Sequence, residues 1–323
     1  MSFEENLNLQ IKSIDDLMRC ITLSSLLELS GRPKPGNVHR TKDFESTKFE
    51  HFLAGIASIQ PNFRDLCQRV YLNSNTKIKN HNFVKLGLFF KEAAKEMMKW
   101  QKGGNVLLGH ILILAPLAAA ATICLKTEKM SFNDFIININ KIIDDSTVED
   151  TTDLYEAIRT CNPGGLGQID KYDIYDQDSI KNIKEDKINL KKIFELSKDY
   201  DSISLEYSHG FSIILKEGLP YYFEKFNSTK DINTATVDTF LKILSDHPDT
   251  LIIRKSGLDA AKMVSIKARE ILMHGGISNG KGILLIRQLD DLLQSKKGKM
   301  NPGTTADILA GIIFCALLFG LSF

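Results

Sequence analysis

Between Asn105 and Leu125 the chain runs for 21 residues without a formal charge. A helix that is apolar on every side is stable either in a bilayer or inside a jacket of other helices. About 20 residues also suffice to span a membrane. This run, however, carries Gly109, His110, Pro116 and four consecutive alanines at 118–121. It reads as a central buried helix. The apolar tail 308–323 has 16 residues, short for a span, and reads as a second buried helix.

Most of the remaining chain has helical periodicity. In 85–101, Leu86, Phe90, Ala93, Ala94 and Met97 recur at spacings of three and four, with Lys91, Glu92, Lys95, Glu96 and Lys99 between them. That pattern gives one apolar stripe and one wet face. Lys102-Gly103-Gly104 then ends the helix, because glycine tolerates a left-handed turn. In 256–273 the stripe is Leu258, Ala261, Val264, Ala268, Ile271 and Leu272, and Ser256 with Asp259 has capping-box spacing. Further helical runs are 7–30, 48–59, 132–143, 148–160, 187–196, 202–215, 234–244, 282–294 and 305–318. Two-residue alternation is almost absent; 250–254 is a lone strand candidate. The expected fold is all-α, a single globular domain over 1–323 with about eleven to thirteen helices and a buried apolar central helix.

Charge and cysteine usage narrow the class. There are 41 basic and 40 acidic residues in 323, a net charge of +1, which disfavours a nucleic-acid binder relying on bulk charge. Hydrophobic residues at 43% and charged residues at 25% exclude collagen-like, mucin-like and wholly disordered chains. Cys20, Cys67, Cys124, Cys161 and Cys315 are odd in number and widely spaced, as in a reduced intracellular protein. The start, Met1-Ser2-Phe3-Glu4-Glu5, has no apolar signal core. The expected location is cytoplasmic, with no membrane or nucleic-acid partner. Nothing in the pattern selects an oligomeric state.

Four glycine-rich segments stand before or between helices: Pro33-Lys34-Pro35-Gly36, Asn162-Pro163-Gly164-Gly165-Leu166-Gly167, the stretch from Gly275 to Gly282, and Asn301-Pro302-Gly303-Thr304-Thr305-Ala306-Asp307. Glycines let several N–H groups approach one ligand, and a following helix start adds partial positive charge. Together they suit a multi-phosphate ligand, although each alone reads equally as a turn. None has Walker spacing. Thr304 or Thr305 can cap the last helix with Asp307 in its first turn, which explains part of the last segment without a ligand.

Carboxylates form the second set. Asp150 and Asp153 share a helical face, Glu28 precedes the first glycine turn, and Asp249 precedes Thr250 and Arg254. Acids beside phosphate loops suit Mg²⁺, which takes one or two carboxylates and leaves its other positions to water and phosphate; a set of solvated acids is the other reading. The connection 162–186, with Asp170, Asp173, Asp176 and Asp178, is either functional or a solvated charged loop. His39 and His51 flank Asp43, but no His-x-x-x-His pair supports zinc. No nucleophile-elbow motif supports covalent hydrolysis.

Taken in order, these segments resemble the triphosphoribosyl-dephospho-CoA synthase family. The matching pieces are Glu28 with Pro33-Lys34-Pro35-Gly36 and Val38, Asn105 with Gly109, Asp249-Thr250 with Arg254, and Asn301 through Asp307. The resemblance implies an all-helical enzyme that transfers the triphosphoribosyl group of ATP to a ribose hydroxyl of dephospho-CoA and releases adenine. It implies Glu28, Asp249 and Asp307 as catalytic residues and as ligands of Mg²⁺. It also implies Lys34, Gly36, Asn105, Arg254, Asn301, Gly303 and Thr304 as nucleotide and phosphate contacts; Gly164 and Gly165 join them from the glycine-rich reading alone, since 162–167 departs from the family pattern. The chain departs from the family where an Asn-Thr-His-Lys-Gly motif is Asn105-Val106-Leu107-Leu108-Gly109, and where Leu251 replaces an asparagine. The acceptor is therefore dephospho-CoA or a related molecule. A Mg²⁺-dependent nucleotide or phosphate-ester hydrolase, or a non-catalytic nucleotide-binding protein, are the competing readings.

Overall fold

A computed structural model describes residues 7–77, 79–166 and 171–323. Met1–Glu5, Gly167 and Asp170 lie outside them. Among the described residues there are sixteen α-helices and no strand. The first eight are α1 (Ile14–Ser30), α2 (Phe49–Ser58), α3 (Gln60–Asn73), α4 (Leu86–Trp100), α5 (Leu108–Thr127), α6 (Phe132–Asp144), α7 (Val148–Cys161) and α8 (Ser179–Glu185). Next come α9 (Leu190–Ser197), α10 (Ser202–Ser208), α11 (Leu219–Thr229), α12 (Ile232–Asp246), α13 (Thr250–Ser256), α14 (Leu258–Met273), α15 (Gly280–Gln294) and α16 (Gly303–Leu318).

The uncharged run becomes α5, packed against α1, α3, α4, α6 and α16. Among the described residues it is the one helix long and apolar enough to cross a membrane, and 89% of its most apolar stretch is buried in protein. Pro116 lies within it and offers no N–H to the carbonyl one turn back. That carbonyl, on Leu112, instead accepts a hydrogen bond from the Tyr207 hydroxyl at 2.7 Å. The apolar tail becomes α16, enclosed by α1, α5 and α12. Tyr155, Tyr172, Ile183 and Ile188 form a small satellite core apart from the main one.

Side-chain caps set many helix starts. Ser13, Ser131, Thr147, Asn189, Asp201, Asp231, Asp249 and Asn279 each accept a bond from a first-turn N–H. The structure corrects the sequence expectation in several places. The helix count exceeds eleven to thirteen, because α3 and α11 begin at Gln60-Pro61 and Leu219-Pro220, and α8 sits within the charged connection. Proline there starts a helix rather than ending one, since the first turn needs no N–H donor. The strand candidate 250–254 is helical, within α13. Ser256 does not cap the next helix: Gly257, at φ +87°, separates α13 from α14, and the Ser256 hydroxyl bonds the Lys299 carbonyl at 3.0 Å. In 202–215 the helix breaks at His209, and a π-helical segment over Ile213–Gly218 follows. There the buried Glu206 carboxylate accepts the Ile213 and Ile214 amides at 2.9 and 3.0 Å.

Candidate active site

The C-terminal end of α1 and the N-terminal ends of α5 and α16 meet at the floor of a cavity of about 1210 Å³. The opposite wall comes from α7, α9, α10 and residues 171–174, and is largely apolar and aromatic, with Tyr155, Tyr172 and Phe194. Two helix N-termini aimed at one space favour negative charge there.

The floor holds the main polar cluster. Glu28, in the last turn of α1, is buried and ion-paired with the buried Lys34 ammonium, which also donates to the Glu28 carbonyl at 2.7 Å. Its other oxygen lies 3.5 Å from His110 Nε2. His110 Nδ1 is 3.5 Å from Asp307 Oδ1. His110 thus stands between two carboxylates, and neither of its nitrogens has a hydrogen-bond partner. Burial pushes the Glu28 carboxyl up, but Lys34 and His110 outweigh it and hold it below its ordinary value. For Asp307 burial dominates: it drives the carboxyl up to about 7, against the pull of His110 and with the charges of Glu28, Asp249 and Asp201 adding to the rise. Asp307 keeps about a fifth of its side chain exposed, so it can meet a ligand.

Gly109, in the first turn of α5, makes this approach possible. A Cβ there would overlap the Asp307 carboxylate. Asn105 caps the same helix end by accepting the Leu108 amide at 3.1 Å. On the rim, Arg254 donates to Asp201 at 2.6 Å, while its buried Nε has no partner. Asp201 is itself the cap of α10. Thr304, at the start of α16, bonds the Thr250 hydroxyl at 3.3 Å.

Seven of the residues expected from sequence therefore line the cavity: Glu28, Asn105, Arg254, Asn301, Gly303, Thr304 and Asp307. Five do not. Lys34 sits behind Glu28 as its counter-charge. Gly36 donates its amide to Asp290 at 2.9 Å and packs against Leu293 and Pro302. Gly164 and Gly165 rest on the stems of Lys255 and Arg254, while their neighbours Pro163 and Leu166 reach the cavity. Asp249 corrects its expectation most clearly. One oxygen accepts the Leu251 and Ile252 amides, the other the Thr305 amide and hydroxyl, at 2.7 to 3.0 Å. Four bonds fill the lone-pair directions of a carboxylate, leaving none for a metal or a substrate.

The other sequence candidates are structural. Asp150 completes the capping box of α7 by accepting the Thr147 amide, and its other oxygen accepts the Gly87 amide at 2.9 Å, while Asp153 pairs with Lys91 at 2.5 Å. His51 accepts the Lys48 amide at 3.0 Å, Asp43 the Phe49 amide at 2.8 Å, and His39 bonds Thr41. The 275–282 turn wraps the Asp238 carboxylate away from the cavity. Among the described residues no three His, Cys, Asp or Glu side chains gather as a metal site. Sequence reasoning did not place His110 or Asp201 at the site. The available signal for His110 was that it is the single basic group in the run 105–125.

A family profile described as CitG: ATP:dephospho-CoA triphosphoribosyl transferase matches residues 14–322. The 2-(5″-triphosphoribosyl)-3′-dephosphocoenzyme-A synthase of Klebsiella pneumoniae is 30% identical over 105 residues, 32% of this chain and 34% of that protein. The chain thus spans about a third of that relative's length in the match. A probable synthase of the same kind from Acinetobacter calcoaceticus is 24% identical over 289 residues, 89% of this chain and 85% of that one. The crystal structure of an Archaeoglobus fulgidus protein assigned as a triphosphoribosyl-dephospho-CoA synthase superposes with a TM-score of 0.62 at 25% identity. It covers 83% of this chain and 99% of that one.

Proposed function

This chain belongs to the ATP:dephospho-CoA triphosphoribosyl transferase family, and on that premise we propose that it moves the triphosphoribosyl group of ATP to a ribose hydroxyl of dephospho-CoA or a related acceptor, releasing adenine. The observation that carries this reading is the pairing of Asp307, a partly buried carboxyl whose pKa is raised to about 7, with Glu28, a buried carboxyl held ionised. Both face a cavity larger than the roughly 300–1,000 Å³ of a usual single-ligand pocket, as a two-substrate transfer needs.

The bond broken joins C1′ of the ribose to adenine, and the bond formed joins C1′ to the acceptor oxygen. The sugar carbon becomes positive as the base leaves, so a fixed carboxylate facing it lowers the barrier. Glu28 fills that role, because Lys34 and His110 keep it charged in a buried setting. Asp307 takes the proton of the attacking hydroxyl, a task suited to a pKa near the working pH, and the departing adenine takes up one proton on the nitrogen released from C1′, so the transfer is proton-neutral overall. Gly303, Thr304 and the amides opening α5 and α16 receive phosphate oxygens. Among the described residues no three acidic, His or Cys side chains gather as a metal site, so Mg²⁺ would be held mainly by the substrate phosphates and water, with Glu28 or Asp307 supplying one or two carboxylates. When bound it would neutralise triphosphate charge.

The test is adenine release. Purified protein is incubated with ATP, Mg²⁺ and dephospho-CoA, and adenine, ADP and AMP are resolved by chromatography. Adenine that appears only with dephospho-CoA supports the transfer. Inorganic phosphate without adenine would replace it with hydrolysis.

A further inference from the structure

A group of cations lies beside the cavity mouth, outside the machinery described above. Lys255 follows Arg254 at the end of α13, and Lys296, Lys297 and Lys299 occupy the turn leading to Asn301 and α16. The two segments are joined. Lys255 donates to the Gly298 carbonyl at 3.4 Å and Ser256 to the Lys299 carbonyl at 3.0 Å. All four lysines are exposed, and among the described residues none forms a salt bridge with a carboxylate. Lys91, Lys191 and Lys242, by contrast, each pair with a carboxylate.

The patch is continuous with the cavity. The turn carrying Pro163 and Leu166, which line the cavity, rests its two glycines on the Lys255 stem. A side chain at Gly165 would crowd the Lys255 and Arg254 stems, so the glycines let this turn lie close against both residues beside the cavity lining. Like charges gathered without counter-ions repel one another and are relieved by a polyanion.

We infer that Lys255 and the 296–299 turn form a docking site for the polyphosphate chain of a nucleotide whose sugar lies in the cavity. This rests on the reading of the cavity as a nucleotide site and deepens it. Both substrates carry a phosphate chain: a triphosphate on the donor and a diphosphate on the acceptor. The chemistry recognised is the same, a run of linked phosphates.

The experiment measures binding rather than turnover. ATP, AMP and dephospho-CoA are titrated calorimetrically into the wild type, a Lys255→Ala/Lys299→Ala variant and a control Lys95→Ala/Lys99→Ala variant. Inorganic tripolyphosphate is used as competitor. The expected result is an ATP affinity about tenfold weaker in the first variant, AMP unchanged, the control unchanged, and weakened competition by tripolyphosphate. The difference from wild type should shrink at high salt. A loss confined to dephospho-CoA also supports the site and assigns it to the acceptor's diphosphate. Unchanged affinity for both nucleotides, or an equal loss for AMP, overturns it. Because binding is read directly, tight ATP binding without adenine release would sink the proposed function and leave this site standing. Adenine release with unaltered affinity in the variant would do the reverse.

Discussion

Gly109 lies directly against Asp307: a single methyl group on Gly109 would stand 1.9 Å from an oxygen of the Asp307 carboxylate. The two residues lie on different helices, Gly109 in the first turn of α5 and Asp307 just past the first turn of α16, nearly two hundred positions apart in sequence. Gly109→Ala should push Asp307 away from His110 and lower adenine release by about 100-fold, the scale expected when a reacting group is misplaced by an ångström. Thermal unfolding of the same variant checks that the fold survives. A fully active Gly109→Ala enzyme would mean that the position of Asp307 is irrelevant to the reaction.

The pH dependence follows from Asp307. With its carboxyl raised to about 7, the base form dominates only above neutrality. kcat/KM for adenine release should fall about tenfold per pH unit below 7, as for an essential base of the free enzyme. Asp307→Asn should abolish that limb along with most of the activity. A wild-type profile flat from pH 5.5 to 8 would remove Asp307 from the role of base.

Stability should move the other way with pH. Asp307 titrates near 7 against an ordinary 3.8, and Glu206 near 8 against 4.5, both because burial opposes charge. Between the ordinary and the raised values the folded state holds protons that the unfolded chain has released. The stabilisation is full below the ordinary values and is lost as pH climbs through 7 to 8. Denaturant midpoints measured from pH 5 to 8.5 should therefore decline, and the decline should be smaller in Asp307→Asn.

Lys34 and Glu28 form a buried pair, both almost wholly inaccessible. Lys34→Met leaves a carboxylate without its counter-charge and should cost about 3–5 kcal/mol of folding stability. The Lys34→Met/Glu28→Gln double variant should lose less than the sum of the two single variants, because neither buried charge then remains. Additive losses in urea unfolding would show that the two side chains do not depend on each other.

Asp249 offers the contrast. Its four hydrogen bonds start α13 and tie it to the first turn of α16. Asp249→Ala should cost about 2–3 kcal/mol, through a lost cap and lost charge-assisted bonds. Activity per folded molecule, measured at low temperature, should be affected far less than in Asp307→Asn. Equal losses in both variants would make Asp249 a site residue after all.

The helices with a clean stripe were legible because periodicity is a local property. Leu86, Phe90, Ala93 and Met97 lie on one buried face of α4 as their spacing requires. α3 and α11, which open on Gln60-Pro61 and Leu219-Pro220, lack so clean a stripe, and in α13 Leu251-Ile252-Ile253 imitates a strand. Only Ile252 of those three is buried, so the segment behaves as a half-exposed helix. In the site, each of the four motifs reached the cavity, through Glu28, Asn105, Arg254, and Asn301, Gly303, Thr304 and Asp307.

The sequence by itself determined that the chain is helical, that one apolar helix must be enclosed, and that glycine turns and acids gather at helix ends. Those properties depend on neighbours within a few residues. It could not separate Asp249 from Asp307. Each is an acid near the start of a helix, and each could cap it, hold a cation or take a proton. Tertiary packing decided between them. It brought the Thr305 amide and hydroxyl to Asp249 and satisfied it, and brought the bare face of Gly109 and the unpartnered imidazole of His110 to Asp307. A carboxylate's chemistry is set by what surrounds its oxygens, and for these two residues that surrounding comes from helices far apart in the chain.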